Sequence, residues 1–177
     1  MMHMLSKGIS KELLPQEKEA AASQEAQGSQ HAPAILSDHW TPAVLLERAN
    51  YLRKMAANGG GSAGETLKVY PRHSTMLSFR NRDGAVERHE YFADLFYVLD
   101  GRATLITGGK MIGAVEIDAG EVRGVSIEGG TRRVLRSGDV AHIPAGMPHQ
   151  MLVSSEDTFT AFVMKIQESD PPEQEIA

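Results

Sequence analysis

Beyond Gly61 the chain is written in short β-favouring runs separated by glycine and proline, and this rhythm limits the fold more than any other feature. Residues 67–79 read as one or two strands interrupted at Pro71, and Asn81-Arg82-Asp83-Gly84 reads as a turn. Phe96-Tyr97-Val98-Leu99 is apolar on both faces, the mark of a covered central strand. Residues 102–107 followed by Gly108-Gly109 predict the start of a hairpin. Further strands are expected at 115–117, 122–127, 132–135, 151–153 and 159–166, with glycines between several of them. Frequent short strands with glycine turns imply an all-β sandwich or barrel.

The remainder of the chain divides by composition. Residues 1–36 are rich in small and polar side chains and are expected to be a flexible, low-complexity tail. Residues 37–66 predict a helix and a glycine-rich linker. Thr41 is a suitable N-cap, Pro42 a suitable first helical residue, and Leu45, Ala49, Leu52 and Ala56 form one apolar stripe before Asn58-Gly59-Gly60-Gly61 stops the helix. The helix is expected to lie against the outside of the barrel, with Trp40 as an anchor; a lid or dimer arm is the other reading. Residues 67–166 form the expected barrel, and 167–177 a second flexible tail.

Charge and composition exclude several functions. The formal net charge is −5 and no basic cluster stands out, which argues against nucleic acid or an anionic membrane as a partner. There is no cysteine, so disulfides and thiolate chemistry are excluded. No apolar run approaches the length of a membrane span, and no secretory signal is seen, so a cytoplasmic location is expected.

Two stretches carry chemistry. In Gly138-Asp139-Val140-Ala141-His142-Ile143-Pro144-Ala145-Gly146-Met147-Pro148-His149, a short strand meets a Pro/Gly turn that places His149 at a rigidly defined point. Read alone, it fits a metal ligand or a base, and equally a hairpin with an incidental histidine. In the second stretch Glu87 and His89, two apart on a strand, project to one face, and Asp94 begins the return strand. Glu87, His89, Asp94 and His149 can therefore converge on one ion. Two imidazoles and two carboxylates suit Fe(II), Mn(II), Ni(II) or Zn(II). Glu87 is also a candidate catalytic base if it stays unligated. Strand alternation turns Tyr97 and Gln150 away from this face and puts Phe96 and Val98 on it. His142 and His73 are better read as packed or surface residues. Arg72, Arg80 and Arg123 are candidates for binding a carboxylate.

These residues resemble the two motifs of the cupin superfamily. Its second motif, G-x5-P-x-G-x2-H, is matched by Gly138, Pro144, Gly146 and His149; Val153 stands where the family has asparagine. Its first motif, H-x-H-x4-E-x6-G, appears as Glu87-x-His89-x4-Asp94-x6-Gly101, with Glu87 replacing the first histidine and Asp94 replacing glutamate. The family's opening glycine has no match at Asn81, and Gly84 is the nearest. The resemblance spans about residues 67–166. It implies a cupin-like antiparallel β-barrel, a double-stranded β-helix or jelly roll, with one divalent ion near its centre. It also implies a homodimer paired through outer elements, for which Thr75–Phe79 and the helix at 42–57 are the candidates. Dioxygenase, isomerase, lyase and decarboxylase chemistry on a small organic molecule are all compatible with it, as is a non-catalytic binding or sensor module with the same barrel.

Overall fold

Alternation along one strand shows how the chain divides its surfaces. In β2 (His73–Arg80), Leu77 and Phe79 are fully buried on one face, while Met76, Ser78 and Arg80 face a cavity on the other. Helix α1 (Pro42–Asn58) covers the first face. Its buried residues are Leu45, Ala49, Leu52 and Ala56, and they pack with Leu77 and Phe79 in one apolar cluster. The helix begins where the sequence predicts: the Thr41 hydroxyl accepts a hydrogen bond from the Val44 N–H at 3.3 Å, and Pro42 opens the first turn. Trp40 stacks obliquely on Phe162, with ring centroids 6.1 Å apart. The helix is thus a cover on the outside of the sheet.

The structure is a computed structural model that describes residues 37–171. The tail expected at 1–36 and the last residues of the tail expected at 167–177 lie outside the described residues. Every strand pairing is antiparallel. One half of the barrel runs β1 (Ser62–Val69), β2, β12 (Phe159–Gln167), β4 (Phe92–Thr107) and β10 (Val140–Ile143). The other runs β9 (Thr131–Arg136), β4, β11 (His149–Leu152), β3 (Val86–His89), β7 (Glu121–Gly124) and β6 (Val115–Asp118). β5 (Lys110–Ile112) and β8 (Ser126–Glu128) make a separate two-stranded ribbon. The core between the two halves includes Val98, Leu105, Leu135, Ile143, Phe159 and Val163.

β4 belongs to both halves and bends the sheet on itself. Its first part pairs with β10 and β12, its second with β9 and β11. The passage occurs at Gly101, which has φ +84°. A Cβ there would lie 1.9 Å from the Thr158 carbonyl oxygen, the same oxygen that accepts the Arg102 N–H at 2.8 Å. Only glycine fits this position.

Four sequence expectations are corrected. The runs at 96–99 and 102–107 are one continuous strand, because Gly101 carries the bend without a turn. Gly108-Gly109 does not open a hairpin back onto β4; it leads to β5, which pairs with β8. The first strand starts at Ser62, inside the segment read as linker, because it gains a full partner in β2. Gln167 is still in β12, and the Glu168 N–H donates to the Tyr91 carbonyl at 2.9 Å, so the start of the expected C-terminal tail is tied to the barrel.

Candidate metal centre

The two motifs meet inside the barrel because of strand register. β3 pairs β11 with Glu87 opposite His149, and β4 lies on the other side of β11. Donor atoms of Glu87, His89 and His149 all lie within 4.8 Å of one another. Asp94 joins them from the start of β4: its Oδ2 is 3.3 Å from His89 Nε2 and 3.6 Å from His149 Nε2. Glu87 Oε1 is 3.7 Å from His149 Nε2. The histidine side chains are 6% and 4% exposed, Asp94 6% and Glu87 28%, so Glu87 is the donor nearest the open side.

Both imidazoles are held by their far nitrogens. His149 Nδ1 is 3.1 Å from the Met147 carbonyl, to which it donates, and His89 Nδ1 is 2.7 Å from Glu121 Oε2. Each ring therefore turns Nε2 toward the shared centre. His149 Nε2 is fully buried there with no hydrogen-bond partner. A buried lone pair without a donor is costly. An ion at the centre would satisfy it, and the donor set of two imidazoles and a carboxylate suits a divalent transition metal. The residues present fit such an ion.

The charges around the centre are mutually supporting. Burial alone would raise the Glu87 pKa, but the neighbouring His149, His89 and Arg123 outweigh it and hold the carboxyl below the usual range. Burial would likewise raise Asp94, yet His89 and Lys165 hold it down. His89 moves the other way: burial opposes its charge, but Asp94 and Glu121 outweigh burial and raise its pKa.

Beside this group lies a cavity of about 360 Å³. Its polar wall includes Glu87, His89, Asp94 and Glu121, and three cations, Arg80, Arg123 and Lys165. Phe96 lines it as the sequence predicts, whereas Val98 is fully buried in the core beneath. Tyr97 points outward, and Gln150 donates to the Gly84 carbonyl instead of facing the site. His142 is exposed, 3.8 Å from Glu168, and His73 stacks on Tyr70. Of the three candidate arginines, Arg72 pairs with Asp170 away from the site, while Arg80 and Arg123 face the cavity. Val153, at the family's asparagine position, is buried apolar core.

Sequence reasoning missed two residues. Glu121 orients His89, and Lys165 sits 3.3 Å from Asp94 Oδ1. Both are set by pairing register, His89 with Glu121 and Asp94 with Lys165. The available signal for the first was alternation: Glu121 and Arg123 flank buried Val122, so both project from the face opposite to it.

No family model and no curated protein matches the sequence. Among solved structures, the chain is similar to a Thermus thermophilus protein at 18% identity, covering 75% of this chain and 96% of that one, with a TM-score of 0.49. It is similar to a cupin-2 domain protein of Rhodospirillum rubrum at 15% identity, covering 64% of each chain, with a TM-score of 0.46. It is also similar to the polyketide cyclase RemF of Streptomyces resistomycificus at 16% identity, covering 64% of this chain and 68% of that one, with a TM-score of 0.44. The strand pairings themselves describe an antiparallel sheet curled through β4, with Glu87, His89 and Asp94 of one motif and His149 of the other converging on its interior. By strand arrangement and by the placement of both motifs, the fold is that of a cupin-like barrel.

Proposed function

We propose that the protein binds one divalent metal ion (Fe, Mn, Ni or Zn) through Glu87, His89 and His149, with Asp94 as the fourth donor, and acts as a metal-dependent enzyme on a small organic molecule. The observation that carries this is the buried, unpartnered Nε2 of His149, held toward the centre by the bond of Nδ1 to Met147. The ion would supply a Lewis acid or, if redox-active, an electron-transfer centre for dioxygenase, isomerase, lyase or decarboxylase chemistry. The residues of the chain do the rest. Glu121 and the Met147 carbonyl fix the ring orientations, Phe96 bounds the cavity, and Arg80, Arg123 and Lys165 set its charge. Glu87 is also a candidate base. A carboxylate held below its usual range is a weak proton acceptor at neutral pH, and this favours the ligand role.

The alternative is a ligand-binding or sensor module without turnover. Elemental analysis of the purified protein separates the two. A stoichiometric redox metal supports the enzyme; absence of metal supports the binding module. Pairing of two copies through the outer face of α1 is part of the same proposal.

A further inference from the structure

We propose that the cavity beside the metal centre recognises a small organic carboxylate, with Arg80 as the residue that binds it and an apolar wall receiving the body of the molecule. The proposal rests on the metal-centre reading for the charge balance of the cavity, and on Arg80 itself for recognition.

The three cations of the cavity are not equivalent. Arg123 is engaged: Nη1 donates to Glu121 at 3.3 Å and to the Val122 carbonyl at 3.2 Å, and Nη2 is 3.3 Å from Glu87. Lys165 faces Asp94. The Arg80 guanidinium has neither a hydrogen bond nor an ion pair with any described residue, although it is partly buried and lines the cavity. Glu87 and Asp83 act on it only at longer range, and it stays charged. A partly buried guanidinium with its fork of donors unused by the protein is suited to a planar anion that accepts two bonds at once.

Its position is also prepared. A Cβ on Gly84 would lie 2.1 Å from Arg80 Nη1, so the bare backbone at Gly84 makes the space that the guanidinium occupies. The charge count points the same way. Three carboxylates and three cations line the cavity and balance. A divalent ion then leaves the centre positive, and an anionic ligand offsets that excess. Met76, Phe96 and Val163 supply an apolar wall, which suits a hydrocarbon body better than a second charged end.

Benzoate and benzamide are a matched probe pair: one shape, one charged and one neutral. Binding is followed in the full chain by the methyl resonance of Met76, which lines the cavity. The titration is done with metal-free protein and again with Zn²⁺ added. Benzoate is expected to bind at least about tenfold more tightly than benzamide, and Arg80→Gln to bring it down to the benzamide level. Gly84→Ala, which displaces the guanidinium while keeping its charge, is expected to weaken benzoate and leave benzamide unchanged. Equal binding of the two probes by the wild type, or no benzoate binding in either state, overturns the proposal even if Arg80→Gln does not fold. So does a folded Arg80→Gln that binds benzoate as the wild type does. Zn²⁺ binding is scored separately. Discrimination without Zn²⁺ binding rejects the metal centre and keeps the carboxylate site; Zn²⁺ binding without discrimination does the reverse.

Discussion

At the scale of residues, the proposed centre depends on groups that hold its candidate ligands as much as on those ligands. Glu121 acts on His89 through the far nitrogen of the ring, at 2.7 Å, and also accepts a hydrogen bond from Arg123. Its loss frees the ring to rotate and removes the partner that fixes its tautomer. Glu121→Gln is expected to weaken metal affinity about 10- to 100-fold without unfolding the protein, read by metal titration alongside circular dichroism. Protonation gives a second test in the metal-free protein. His89 has a folded pKa above its unfolded value of about 6.5, so its contribution to stability is complete below that value and is lost as pH rises through the folded pKa. Glu87 and Asp94 are depressed, so theirs is complete above about 4.5 and is lost as pH falls through their folded values. Denaturant midpoints of metal-free protein are therefore expected to peak between about pH 4.5 and 6.5. Metal affinity runs the opposite way, rising with pH as protons cease to compete. A metal-free midpoint that climbs steadily to pH 8 would contradict this arrangement of charges. That Glu87, His89, Asp94 and His149 come together was legible in the sequence because each stands at a motif position. Glu121 and Lys165 were not, since each reaches the site from a strand whose register is settled only when the barrel closes.

At the scale of elements, α1 was the most legible part of the chain. Its cap, its first proline and its four-residue apolar stripe are all local signals. What they could not reveal is the surface under the stripe, because Leu77 and Phe79 come from β2. Leu52, 3% exposed, lies in that contact. Leu52→Ala is expected to cost about 2–5 kcal/mol in chemical denaturation. Since β2 turns its other face to the cavity, metal content should stay at the wild-type level. A loss below about 1 kcal/mol would mean that the helix is only loosely applied. β4 was the least legible element. Its two halves look like separate strands in the sequence, and only the close approach of Thr158 to Gly101 shows that one strand serves both sheets.

At the scale of the whole molecule, the strand rhythm was enough to give the all-β class and, with the two motifs, the barrel. The surface proposed to pair two copies was less visible. Thr75–Phe79 is one of the two candidate pairing elements that the resemblance implies, but Leu77 and Phe79 are already covered by α1. The outer surface of the helix is what remains, with Val44, Tyr51 and Met55 exposed. Light scattering at micromolar concentration is expected to report twice the chain mass, and Tyr51→Glu to return a monomer. A monomer in the wild type would reject pairing and leave the metal centre untouched. Among the described residues no helix is long and apolar enough to cross a membrane.

The most direct measurement is metal stoichiometry by elemental analysis in the wild type and in His149→Ala, after confirming that both are folded. The wild type should carry close to one divalent ion per chain. His149→Ala, lacking the buried nitrogen that faces the centre, should carry little. Equal occupancy in the two proteins would show that the ion, if present, is held elsewhere.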